Sequence, residues 1–147
     1  MLTTTAPAVP DIKQGRARAL CAAGGALAAA LAWIVEVPLL GIHLTFRFGS
    51  GHIQTIAVGQ VIGVSLAASL LGWLLLAVLD RRTSHARAVW ASVALVALAV
   101  SLALPLAAAT NTSALVGLVV MHLTVGAAVI PAMARTARGR HRAWRHQ

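Results

Sequence analysis

Four apolar runs, each about twenty residues or longer, dominate this chain. They cover about 19–40, 53–79, 88–109 and 114–134, and the segments between and outside them carry nearly all of the charge. At helical rise, the first run of about 22 residues reaches roughly 33 Å, enough to cross a hydrocarbon core of about 30 Å. Backbone polar groups in lipid must be satisfied within the segment, so such runs become helices. Of the 147 residues, 59 % are apolar and 10 % charged, against roughly 45–50 % and about 25 % in soluble domains. A soluble fold of this size still exposes much of its surface and could not hide that much apolar area. The fold class expected is all-α: a four-helix transmembrane bundle of two hairpins.

The distribution of charge sets the topology. Lys13, Arg16 and Arg18 precede the first run, Arg81, Arg82 and Arg87 lie between the second and third, and Arg135, Arg138, Arg140, Arg142 and Arg145 follow the fourth. The other two loops hold Arg47 and no Lys or Arg at all. The positive-inside rule then predicts both termini in the cytoplasm, with the bundle in the cell membrane. The net charge of +9 is thereby read as a topology determinant and as attraction to anionic lipid headgroups, with the five arginines of the tail as the anchor. Nucleic acid is not expected as a partner.

Three regions follow. Residues 1–14, with Pro7 and Pro10 and no apolar period, read as a disordered cytoplasmic lead rather than a signal peptide. Residues 15–134 form the membrane domain, and residues 135–147 a basic cytoplasmic tail. Within the first outer loop, Ile42, Leu44, Phe46 and Phe48 alternate with His43, Thr45 and Arg47. That period of two predicts a short extended segment lying at the interface or against protein, since a bare strand edge cannot persist in lipid. Gly49-Ser50-Gly51 turns the chain back. Asn111-Thr112-Ser113 matches the glycosylation pattern but hugs the membrane too closely to serve. The first and third runs end alike, at Pro38-Leu39 and Pro105-Leu106.

The polar residues inside the runs are the candidates for chemistry. Glu36, Gln60, Ser101 and His122 fall at similar depths below the outer face. A carboxylate there wants a partner, and Arg47, on the loop that folds back, is nearest in sequence; His122 is the alternative. Two readings stand. In one, Glu36 and Arg47 clamp the loop while Gln60, Ser101 and His122 join helices by hydrogen bonds. In the other, Glu36 and His122 form an outward-facing pocket that exchanges protons or holds a small cation. Gly59 and Gly63 form a GxxxG pattern that Ala68 and Gly72 continue, read first as packing within the bundle and second as a homo-oligomer face.

No cofactor or metal site is expected. The six histidines show no helical i, i+4 pair, although His43 and His52 bracket one loop, and metal sites need three or four convergent ligands. Three acidic residues and a lone Cys21 supply neither a disulfide nor a hydrolytic set. An enzyme is therefore the least expected class.

The run Val37-Pro-Leu-Leu-Gly-Ile-His-Leu-Thr-Phe-Arg-Phe-Gly49, the pair Gly72-Trp73, the run Leu79-Asp-Arg-Arg-Thr83 and Met121-His122-Leu123 resemble an uncharacterised bacterial family of small four-helix membrane proteins, known only as a domain of unknown function. The resemblance extends over about residues 18–138. It implies four spans and supplies no activity, so no site residue is carried over from it. The function expected is that of a non-enzymatic scaffold or partner-interaction protein of the cell membrane; the alternative is a small proton- or cation-coupled transporter or channel.

Overall fold

The computed structural model describes residues 12–47, 49 and 51–137. Helix α1 runs over Ile12–Ile34 and passes into a π-helical turn, Val35–Leu39. Strands β1 (Thr45–Phe46) and β2 (Gln54–Thr55) form a hairpin, followed by α2 (Val58–Arg82), α3 (Ala86–Ser101), α4 (Ala103–Ala108) and α5 (Thr112–Arg135). Four helical stretches of 28, 25, 23 and 24 residues are long and apolar enough to cross a membrane, with α3 and α4 sharing the third.

The prolines account for the irregular ends. A proline ring removes an N–H and crowds the carbonyl four residues back. For Pro38 that residue is Ile34, where α-helix gives way to the π turn; for Pro105 it is Ser101, where α3 ends and the chain restarts as α4.

Helix α1 packs against α2 and α5, and α3 packs against α5 and α2, while α2 and α5 touch only lightly. This places α1 and α3 on opposite sides of the α2–α5 pair. One core cluster, near the hairpin, joins Ala29, Leu44, Val61, Leu118 and Met121. A second, at the opposite end, joins Leu76, Trp90, Met133 and Ala134. Small residues set the closest approaches. A Cβ on Gly25 would lie 2.5 Å from Val129 Cγ2, and one on Gly126 would lie 2.7 Å from Leu98 Cδ2. Gly59 and Gly63 do nothing of the kind: a Cβ on either meets no atom within 4 Å. The GxxxG pattern therefore does not pack within the bundle. It lies on exposed α2 surface, as does Ala68, and only Gly72 of that series meets a neighbour, the Trp90 ring.

Two boundaries differ from the sequence expectation. Ile12–Gln14 are helical rather than part of a lead, because the Gln14 amide donates to Thr136 O at 2.8 Å and to Asp80 at 3.4 Å. Residues 53–57 precede the second helix, because Gln54 and Thr55 pair with β1. The helix then starts at Val58, with Gln60 Oε1 accepting from Ala57 N at 2.9 Å.

Candidate functional site

The loop end of the bundle is a small sheet. Thr45 pairs with Thr55 and Phe46 with Gln54, while Phe46 also bridges Ala109. Arg47 N donates to Ala108 O at 2.8 Å, and the hydroxyls of Thr45 and Thr110 lie 2.5 Å apart. Both edges of β1 are thus occupied, which is how an extended segment survives at this depth. The alternation holds at Ile42, His43, Leu44 and Arg47: Leu44 is fully buried, Ile42 half-buried, and His43 and Arg47 exposed, while Thr45 and Phe46 are both half-buried. Phe48 and Ser50 lie outside the described residues. Trp33 Nε1 donates to Ile56 O at 3.0 Å and ties α1 to the hairpin's exit. Asn111 caps α5, its Oδ1 accepting from Ala114 N at 2.8 Å.

Glu36 sits behind this sheet. It is 4 % exposed, and both carboxyl oxygens are buried with no hydrogen-bond partner among the described residues. Its room comes from Gly117 on α5, where a Cβ would lie 3.3 Å from Glu36 Oε2 and 2.7 Å from Leu44 Cδ2. The clamp expected between Glu36 and Arg47 is not formed. The loop's parity explains this: Arg47 shares the outward phase with His43, whereas the inward positions go to Leu44 and Phe46.

The remaining polar candidates line a single cavity of about 920 Å³ between α2, α3 and α5. Gln60 and Ser101 lie near its loop end, and His122 lies deeper on α5. Ser101 Oγ donates to Leu98 O at 2.7 Å. His122 Nδ1 lies 2.7 Å from Leu118 O; a carbonyl only accepts, so the neutral ring carries its proton on Nδ1 and leaves Nε2 as an acceptor. None of these bonds joins two helices. The interhelical role expected for Gln60, Ser101 and His122 therefore passes to other groups. Glu36 and Arg47 do not line the cavity. The cluster of five thus divides: three share a groove, one is buried beside Gly117, and one faces outward. Ser65 and Ser69 of α2 add two hydroxyls, Ser65 Oγ being buried without a partner among the described residues. The other walls are apolar, from Val64, Leu71 and Leu75 on α2, Val93 and Leu98 on α3 and Val125 and Ile130 on α5, with no carboxylate, amine or guanidinium among them. Trp90 Nε1 donates to Gly72 O at 2.8 Å and closes the gap between α2 and α3 toward the far end.

That far end holds the group that sequence reasoning missed. Arg18 Nη2 pairs with Asp80 Oδ2 at 2.5 Å, with the two side chains 5 % and 4 % exposed. Arg18 Nε donates to Thr136 Oγ1 and Nη2 to Thr136 O, each at 3.2 Å. One guanidinium therefore ties the start of α1 to the ends of α2 and α5. Arg18 reads in sequence as a topology marker and Asp80 as part of a basic loop. The available signal was that Asp80 is one of three acids in the chain, set at the close of an apolar run.

The described residues bring together no three His, Cys, Asp or Glu side chains that could hold a metal. His43 and His52 are both exposed. Of the arginines expected to contact headgroups, Arg135 is exposed at the end of α5, and Arg138, Arg140, Arg142 and Arg145 lie outside the described residues.

A family model matches residues 11–139, which contain the whole of the four-helix region. The chain belongs to the family of unknown function DUF6069. No curated protein and no solved structure matches it. For this DUF6069 member, the family supports the four-span reading and assigns no activity, so a functional argument rests on the groove and on Glu36.

Proposed function

We propose that this chain is a non-enzymatic, multi-pass protein of the bacterial cell membrane, both termini cytoplasmic, that works by lodging an apolar partner in the groove between α2, α3 and α5. The groove carries the reading. Its volume of about 920 Å³ falls within the range of roughly 300–1,000 Å³ typical of ligand sites, and apolar walls with a few polar groups are the usual composition of such sites. The lining holds one imidazole, His122, and the hydroxyls of Ser65, Ser69 and Ser101, without a carboxylate, thiol or amine. Ser101 and His122 each bond a backbone carbonyl rather than pairing hydroxyl with imidazole as a nucleophile and its base would. The orientation is supported by Lys13, Arg16, Arg81, Arg82, Arg87 and Arg135, which the alternating helices gather at one end.

The test is mass spectrometry of the intact protein released from gentle micelles. The expected result is a bound apolar mass near one per chain, lost in Ala97→Trp, which fills the groove from an exposed position on α3. Bare chain from the wild type would remove the basis for the proposal. Labelling of His43→Cys but not His85→Cys by an impermeant maleimide on intact cells tests the orientation.

One observation favours a second reading, proton- or cation-coupled movement: the unpartnered, buried Glu36 carboxyl. Intramembrane ionisable groups commonly mark such paths. His122 faces the groove rather than Glu36, so this route would use Glu36 without it. A proton or cation flux in vesicles that Glu36→Gln removes would establish it; equal flux from both proteins would end it.

A further inference from the structure

The groove reads more narrowly than as a site for any apolar partner. Along α2 it runs from Gln60 to Leu75, about 22 Å at helical rise, longer than the roughly 15 Å of one leaflet's hydrocarbon. Its polar side chains stop about midway. Gln60 and Ser101 stand near the loop end, Ser65, Ser69 and His122 about midway, while Leu71, Leu75 and Val93 line the rest. An elongated molecule with one hydrogen-bonding end matches that gradient.

The hydrogen bonds already made define what that end must offer. His122 spends its N–H on Leu118 O, so Nε2 accepts and has no partner among the described residues. Ser101 spends its hydroxyl proton on Leu98 O and can only accept another. Gln60 commits Oε1 to Ala57 N and keeps its NH₂ as a donor. A hydroxyl supplies the proton that His122 Nε2 lacks and keeps its own oxygen free to accept. A carboxylate brings no proton for Nε2 and would set an unpaired charge among largely apolar walls. Nor does a helix of a second copy fit the full length. The bond from Trp90 Nε1 to Gly72 O holds α2 and α3 together at the far half, where a helix of about 10 Å diameter would need them apart. A flexible hydrocarbon chain can pass behind that contact, over Val129 and Ile130 of α5.

We infer that the groove binds a neutral long-chain lipid with a free hydroxyl, whose hydroxyl donates to His122 Nε2 and whose chain runs toward Trp90. This rests on the reading of the groove as the working surface, and the test separates the two. The protein in phosphatidylcholine vesicles is irradiated with hexadecanol carrying a diazirine at its far end, and in parallel with the equivalent palmitate and the equivalent hydrocarbon.

The expected result is labelling by the alcohol of residues near Leu75, Trp90 and Ile130, stronger than by either analogue. Ala97→Trp abolishes this labelling. Leu95→Trp, on the exposed face of α3 outside the groove, leaves it intact. His122→Leu lowers it by roughly three- to tenfold, the worth of one neutral hydrogen bond, and brings alcohol and hydrocarbon level. Equal groove labelling by all three probes, unchanged in His122→Leu, overturns the lipid assignment and leaves the groove as a site for other apolar partners. Labelling spread over all lipid-facing helices and insensitive to Ala97→Trp overturns both. Intermolecular crosslinking of Gly63→Cys across the groove would assign it to a second copy and equally overturn the lipid.

Discussion

Replacing Asp80 alone should be the most damaging polar substitution at the charged end of the bundle. Its carboxylate lies 2.5 Å from Arg18 Nη2, and both side chains are at most 5 % exposed, so water cannot replace the lost partner. Removing one member of a buried pair typically costs about 3–5 kcal/mol, because the other charge stays behind uncompensated. In Asp80→Leu, Arg18 keeps its bonds to Thr136, but both of those acceptors are neutral. The expected loss is therefore about 3–5 kcal/mol, against at most about 1 kcal/mol for an exposed pair. Arg18→Met should cost a similar amount. The double variant leaves no stranded charge and should recover more than half of the summed loss, a coupling expected of groups in direct contact. Detergent-driven unfolding in mixed micelles, followed by tryptophan fluorescence, suits the measurement, since Trp73 and Trp90 belong to the core cluster at this end. A loss below about 1 kcal/mol in either single variant, or strictly additive losses in the double, would refute the argument.

The other predictions concern the glycines, Glu36 and Trp90. Gly117→Ala should destabilise by about 1–3 kcal/mol through overpacking, since its Cβ would lie 2.7 Å from Leu44 Cδ2. Gly63→Ala meets open space and should be neutral or stabilising by up to about 1 kcal/mol from helix propensity; the reverse ranking of the two in the unfolding assay would contradict the packing described. Glu36→Leu should stabilise by about 1–3 kcal/mol, the usual cost of a buried polar group without a partner, and a clear destabilisation would mean that Glu36 has one. Arg47→Ala should leave stability within about 0.5 kcal/mol of the parent, as for other exposed positions. Trp90→Phe should lose about 1 kcal/mol with its bond to Gly72 O, detected as a lower unfolding midpoint.

The four spans were legible because lipid imposes a length and a composition on each, and no tertiary contact overrides that demand. The extended loop was legible for a related reason. Period-two alternation over Ile42–Arg47 is a local signal, and it gave the correct phase for Leu44 and Arg47 even though proximity in sequence suggested pairing Arg47 with Glu36. Pairings between distant helices were not legible. Arg18 and Asp80 are separated by 62 positions, and Arg18 and Thr136 by 118; nothing local distinguishes an arginine that turns inward from Arg16, which stays exposed. The glycines show the same limit. Gly59 and Gly63 carry the recognisable spacing and touch nothing, whereas Gly117 and Gly126 carry no pattern and set close contacts. Spacing along one helix says which residues share a face, and only the neighbouring helix decides which face is used.

Both acidic side chains among the described residues are buried, and they are treated in opposite ways. Asp80 is answered by a guanidinium that also binds a second helix end, so its burial holds the bundle together. Glu36 lies on a π-helical turn that contains Pro38, with a glycine opposite making room for its carboxyl and no donor supplied among the described residues. A structural need at that position would be met better by leucine, which fills the same space without desolvating a polar group. Local inconsistency of this kind is where sequences that otherwise agree with their fold tend to place function. The comparison between sites is therefore sharper than either alone: stability should fall on losing Asp80 and rise on losing Glu36. A membrane protein that grows more stable without its buried glutamate, while cells carrying that variant lose a phenotype of the wild-type gene, would establish Glu36 as a working residue rather than a structural one.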